Sequence, residues 1–142
     1  MSHTHEPLSD LLGAVAGAID VPAVTSVAVG GVHDDTPESP TYPWIRVTAR
    51  AKPIGPIAAQ TIWRCDVEIH VYDQYQGDSQ ALGLVNTIVG LLHYQALTVE
   101  GWTAILASLD DEGFYPLPPE EIAGQVTREW VVPFTVQMER AA

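Results

Sequence analysis

An α+β architecture is predicted: an antiparallel or mixed sheet of about four to five strands, with two helices packed on one face. Three patterns predict it. Ten residues from Trp63 to Tyr72 alternate strictly between apolar and polar. Two separate segments carry apolar residues at helical spacing. Connections rich in Pro, Gly and Asp stand on either side of the second helix, where hairpins are expected.

In chain order, Ser9 and Asp10 precede Leu12, Val15 and Ile19, which share one helical face, and Pro22 lies just past the end. This predicts a helix over residues 9–20. Its remaining positions are small, including Gly13 and Gly17, and each interior Gly costs ~1 kcal/mol relative to Ala. Close packing on the chain's own sheet is the plainer reason, and a helix contact between subunits is the functional one. Val27–Val32 reads as a short strand, and HDDTPESPTYP after it as an exposed loop. WIRVTARA, from Trp44 to Ala51, alternates with Trp44 and Arg46 on one face and Ile45 and Val47 on the other. KPIGPIAAQ then reads as a long hairpin connection.

In the strictly alternating strand, Trp63, Cys65, Val67, Ile69 and Val71 face one way and Arg64, Asp66, Glu68, His70 and Tyr72 the other. Ser79 can cap a helix over residues 80–94, apolar on all but a narrow face. Two strands follow: Trp102–Leu109, and Gln125–Glu139, in which Trp130, Val132, Phe134, Val136 and Met138 alternate with polar neighbours and Pro133. Pro133 cannot donate to a ladder, which predicts an edge, a bulge or a non-bonded position. Between them DDEGFYPLPPEEIAG is too proline-rich for a helix and predicts a projecting arm.

The chain of 142 residues carries 6 Lys+Arg against 18 Asp+Glu, a net charge of −12. That argues against gripping nucleic acid, which needs clustered cations to neutralise phosphates, and against anionic membrane surfaces. The longest nearly unbroken apolar run, Ala81–Leu92, is shorter than the ~20 residues a membrane helix needs. The first residues, MSHTHEPLSD, have neither a basic nor an apolar signal region, so an intracellular chain is expected. Cys65 stands alone and forms no intramolecular disulfide. The expected organisation is a flexible N-terminus over residues 1–8 and one domain over residues 9–140.

Signature motifs of hydrolases, nucleotide-binding loops and zinc sites do not occur. Three constellations are left. His3 and His5 lie in a polar terminus. His33, Asp34 and Asp35, with Asp110, Asp111 and Glu112, could supply metal ligands or a carboxylate pair, yet both groups sit at turns, where Asp serves the backbone. This is the basis of a metal-dependent hydrolase as a lesser alternative. Arg64, Glu68 and His70 share one strand face, which reads as a solvated or interface charge ladder. No catalytic residue, cofactor or metal is assigned. Four tryptophans, Trp44, Trp63, Trp102 and Trp130, fall in strands, and one on the far sheet face would suit a subunit contact.

The order of segments resembles the tail terminator, or tail completion, proteins of long-tailed bacteriophages and gene transfer particles. The residues that carry the likeness are Val32-His33-Asp34-Asp35-Thr36-Pro37 after the first helix, Tyr42-Pro43-Trp44-Ile45 at a strand start, Val67–Ile88 across strand, turn and helix, and Leu97-Thr98-Val99-Glu100-Gly101 before the last strands. It spans Leu8 to Met138. The stretch Phe114–Gly124 is longer and richer in proline than the family pattern, and His33 stands where an aromatic is usual. The resemblance implies a virion structural protein without catalysis or cofactor, which caps the tail tube as a hexameric ring, ends tail polymerisation and joins the head or neck. A head-tail adaptor or neck protein is the alternative. Implied partners are copies of itself, the tail tube protein and a neck or adaptor protein, with DNA passing through but not specifically bound. Its location would be the neck end of the tail, reached by assembly in the host cytoplasm. For the interface the candidates are Arg64, Asp66, Glu68 and His70 on the alternating strand, Asp34, Asp35 and Trp44 near the first loop, and Tyr115, Glu120 and Glu121 in the arm. An acidic inner wall that lets DNA slide is a further expectation from the charge.

Overall fold

Strict alternation in one strand organises the molecule, because a strand with a wholly apolar side needs apolar neighbours on that side. The computed structural model describes residues 7–54, 62–104 and 106–140. The expectations placed on His3 and His5, and on most of the KPIGPIAAQ connection, lie outside the described residues.

Strand β2 (Trp44–Pro53) pairs antiparallel with β3 (Ile62–Asp73), and β3 with β9 (Gln125–Arg140). In register, Val47, Ile69 and Val132 lie side by side, as do Ala49, Val67 and Phe134. Helices α1 (Leu8–Ile19) and α3 (Ser79–Leu92) lie on this apolar side, α1 over β2 and α3 over β3 and β9. Leu11, Val15 and Ile19 from α1 and Ala81, Leu84, Val85, Ile88 and Leu92 from α3 are buried there. Full burial of an aliphatic side chain stabilises by ~1.5–3 kcal/mol, so this layer dominates the fold's stability. The α+β class, the alternation of β3 and β9 and the one-sided helices agree with the sequence reading.

The strand count does not. Among the described residues the sheet has nine strands, ordered β1 (Val32–His33), β2, β3, β9, β5 (Trp102–Ala104), β4 (Thr98–Val99), with β6 (Ser108–Leu109), β7 (Tyr115–Pro116) and β8 (Glu120–Ile122) also on β9. The long strand explains the excess. One edge of β9 is paired by β3, and its other edge is paired in succession by β5 (Trp102–Ala104), β6 (Ser108–Leu109), β7 (Tyr115–Pro116) and β8 (Glu120–Ile122). Sixteen residues of one strand thus need several short partners. The expected strand Trp102–Leu109 is split because the Ala107 carbonyl accepts from the Tyr94 N–H at 2.7 Å, which pulls the chain out of the ladder. Thr98–Val99 forms β4, hairpinned to β5.

Pro22 lies just past the end of α1, as expected, and opens a further short helix, α2 (Pro22–Thr25). Its fixed φ suits a first helical position. The strand expected at Val27–Val32 shrinks to β1 (Val32–His33), parallel to β2. Ala28 N–H donates back to the Val24 carbonyl, and Gly31 has φ +84°, outside the extended region of a regular strand. The helix begins at Leu8 instead of residue 9, with Pro7 already buried. At Gly13 and Gly17 an added Cβ would meet nothing within 4 Å, so packing on the chain's own sheet does not explain them. Pro133 is accommodated in an interior strand because its carbonyl accepts from Asp110 N–H at 2.9 Å. Its missing donor therefore faces the gap between β6 and β7, a stretch of this edge that no described strand pairs.

Candidate functional site

Every second residue of the three long strands projects from the side of the sheet away from the helices. Register sets them in rows: Trp44, Tyr72 and Glu129; Arg46, His70 and Val131; Thr48, Glu68 and Pro133; Arg50, Asp66 and Thr135; Lys52, Arg64 and Gln137. Four of the 6 Lys and Arg residues in the chain, Arg46, Arg50, Lys52 and Arg64, stand on this one face. In a molecule of net charge −12 this is a local reversal of sign.

The end of the face nearer β1 is rigid. His70, 13% exposed, lies between two carboxylates, with Nδ1 2.7 Å from Glu129 Oε2 and Nε2 3.3 Å from Glu68 Oε1. Thr48 Oγ1 is 3.4 Å from the same Nε2. The ring of Tyr72 stacks on Trp44 with centroids 4.3 Å apart, and His70 lies beyond it at 6.3 Å. Arg46 and Glu129 both hydrogen-bond the Tyr72 hydroxyl. Burial, then the Glu129 charge, hold the Tyr72 pKa above its ordinary 10.0, and Arg46 opposes them. A phenol with a raised folded-state pKa contributes stability that is complete below pH ~10 and is lost as pH rises through the folded value. Tyr72→Phe is therefore expected to flatten the alkaline decline of stability. Urea midpoints at about pH 9 and pH 11 check this, and an unchanged decline would remove Tyr72 as its source.

The other end is soft. Asp66 bridges Arg50 at 3.8 Å and Arg64 at 3.4 Å, and all three side chains are substantially exposed. Such pairs are worth ~0–1 kcal/mol, so their charges can be given to a partner at little cost in stability. Lys52 is exposed and has no ionic partner among the described residues.

The sequence-predicted residues fall in three places. Arg64, Asp66, Glu68 and His70 come together on the sheet face. Asp34 and Asp35 are exposed in the loop after β1, at the β2 edge, where Asp35 Oδ1 accepts from Thr36 N–H at 2.8 Å. Tyr115 on β7 and Glu120 and Glu121 on β8 are exposed at the β9 side of the sheet, in the arm expected there. Its tip is a two-residue turn in which Ala123 (φ 51°) and Gly124 (φ 80°) both take positive φ. Ile122 and Val126 are exposed beside it. Trp44 is a correction: at 3% exposure it cannot offer its ring to a subunit, and it supports the face from beneath. Its burial follows from the stack on Tyr72 and from the chain segment Gly30–Pro43 that closes over it, with Gly30 N–H donating to the Pro43 carbonyl. Trp63 and Trp102 belong to the core, and Trp130 packs against it.

Sequence reading placed Tyr72 on the face but missed Arg46, Arg50, Lys52 and Glu129 as its members. The signal was present in the alternation of WIRVTARAK against that of β3, and only the register was unknown. Among the described residues no three His, Cys, Asp or Glu side chains converge as metal ligands. The acidic groups at Asp34 and Asp110 serve separate turns, with Asp110 accepting from Gly113 N–H through its carbonyl.

The polar face and the arm can be set beside known proteins. A chain of a solved structure titled "Virion of native gene transfer agent (GTA) particle" superposes with a TM-score of 0.73 over 97% of this chain and 99% of that one, at 13% identity, which shows the shared fold. No curated protein matches in sequence. The family described as tail completion protein gp17 matches residues 14–128, from within α1 to the arm-proximal part of β9. The chain therefore belongs to the tail completion protein gp17 family and is a structural protein of the bacteriophage virion.

Proposed function

We propose that the chain closes the end of the phage tail tube as a ring, expected to be hexameric, which stops tube growth and presents the joint to the head or neck. Work of this kind is done by contact and shape, with no reaction and no cofactor. The observation that carries the reading is the sheet face, stiffened at one end by the Trp44, Tyr72 and His70 stack and left with exchangeable charges at the other. A cyclic ring is built from two different patches that meet at each boundary, and the β2 edge of the face and the arm on β9 lie at opposite edges of one sheet. With most cations gathered on the face, the remaining surface is acidic and suits a channel that DNA crosses without adhering.

The role places the protein at the neck end of the tail in the virion, after assembly in the host cytoplasm. Added to polymerising tube protein, it is expected to stop elongation and appear as one terminal ring in electron micrographs. Tubes of unaltered length would overturn the reading, and binding to a portal or neck protein without binding the tube would favour the adaptor role. Within the ring, reversing Arg64 and Glu68 together (Arg64→Glu with Glu68→Lys) is expected to weaken assembly while the monomer melts within a few degrees of the parent. Sizing with light scattering reads the first and circular dichroism the second. Unchanged assembly would remove those two residues from the interface.

A further inference from the structure

The two sides of the sheet are complementary as backbone as well as in charge. On the β2 side, β1 pairs only with Ile45 and Arg46. Ile45 N–H donates outward to the Gly31 carbonyl, whereas Ile54 N–H donates inward to the Ile62 carbonyl. By strand alternation the N–H and C=O groups of Ala49 and Ala51 then point outward. No strand among the described residues pairs with them on that side. Pro53, which lacks a donor, closes this edge, and Arg50 and Lys52 project beside it, exposed. Natural edges are kept from pairing at random by such cations and prolines.

On the far side, β8 pairs only with β9, as Glu120 with Thr127 and Ile122 with Gln125. A two-residue turn makes Ile122 and Gln125 a bonded pair, so the backbone of Glu121 points outward. All three residues of β8 are exposed, and neither Glu120 nor Glu121 has an ionic partner among the described residues. Direction also fits. β2 and β9 both run antiparallel to β3, and β8 runs antiparallel to β9. A copy placed beside another in the same orientation would therefore set β8 antiparallel to the next β2.

We infer that adjacent copies of this chain join edge to edge, β8 of one pairing with Ala49–Pro53 of the next, with Glu120 beside Arg50 or Lys52. The partner is a second copy because the cationic edge and the acidic strand are carried by the same chain at opposite ends of one sheet. The contact is heterologous, the kind that generates a ring when the rotation between copies closes. With Glu121 opposite Ala49, Glu120 lies across from Arg50, and with Glu121 opposite Ala51 it lies across from Lys52. In both registers Glu120 shares the polar face with the cation, since its partner Thr127 is in phase with Glu129. The inference rests on the ring reading and specifies its boundary.

Two measurements test it on the full chain, alone at high concentration and on tail tubes. Paired cysteines, Glu121→Cys with Ala49→Cys or with Ala51→Cys, are expected to give a ladder of disulfide-linked multimers on non-reducing gels. Bonded antiparallel partners have Cα atoms ~5.5 Å apart, within disulfide reach. Within one copy β2 and β8 are separated by β3 and β9, and Cys65 is fully buried, so links form only between copies. Charge reversal on either edge, Glu120→Lys with Glu121→Lys or Arg50→Glu with Lys52→Glu, is expected to weaken association about five- to tenfold, and combining both to restore most of it. Rings that form with no link in either pair and no effect of reversal would overturn the edge contact and leave the ring reading standing. Absence of any ring in solution or on tubes would overturn both.

Discussion

Gly30→Ala is expected to destabilise the protein by about 3 kcal/mol or more and to lower the melting temperature by roughly 10 °C. A Cβ at Gly30 would run into the Thr41 carbonyl oxygen and would lie 2.7 Å from Trp44 Cβ and 2.9 Å from the Pro43 oxygen. Two of those three obstacles are backbone, which no rotamer change can clear. Gly30 also sits at a junction: its N–H donates to the Pro43 carbonyl at 2.9 Å, and the Gly30 carbonyl accepts from His33 Nε2 at 2.7 Å. Moving it shifts the segment over Trp44 and the first bond between Gly31 and Ile45. Loss of the Trp44 near-ultraviolet signal should accompany the lower transition in circular dichroism. A melting temperature within about 2 °C of the parent would show that the Thr41–Pro43 segment yields freely.

Ile69→Ala is expected to lose about 3–4 kcal/mol, within the 2–5 kcal/mol typical of such truncations. Ile69 is fully buried at the middle of β3, between Val47 and Val132 and beneath the helical layer. Backbone pairing on both sides prevents β3 from sinking into the void. Glu68→Ala, one residue away and on the other face, should change stability by less than about 1 kcal/mol, since the Glu68 side chain is 43% exposed and makes a single 3.3 Å contact to His70. Urea unfolding of the two variants makes the comparison, with an unchanged slope expected for both. Equal losses would mean that the two faces of β3 are not divided as described.

That contrast between neighbours is the part of the molecule most legible in the sequence. Alternation in Trp63–Tyr72 and Trp130–Met138 states which side chains are buried, because a one-residue slip would place a whole apolar set in water. The 3.6-residue spacing in the helices is explicit for the same reason. Short strands carry no such message. Ser108–Leu109, Tyr115–Pro116 and Glu120–Ile122 are strands only because the long edge of β9 supplies bonds to them. Two or three residues have no period to read, and β8 has no buried side chain. Gly13 and Gly17 mislead in the opposite sense: their spacing invites a packing explanation that the fold does not supply.

The candidate site divides along the same line. Arg64, Asp66, Glu68 and His70 could be grouped on one face from their spacing, since a strand's period of two is local and steric. Which residues stand across from them is a matter of register, set by the burial of Val47, Ile69 and Val132 in one layer, and it brings Arg46, Arg50, Lys52 and Glu129 to the same face from up to about sixty positions away. The fate of Trp44 was equally non-local: an aromatic residue at a strand start can anchor a partner or fill its own fold, and the closure of Gly30–Pro43 over it chose the second. Short-range periodicity is written in side-chain order, whereas the pairing of edges and the covering of a ring depend on contacts between distant segments, which form only when the apolar layer has brought them together.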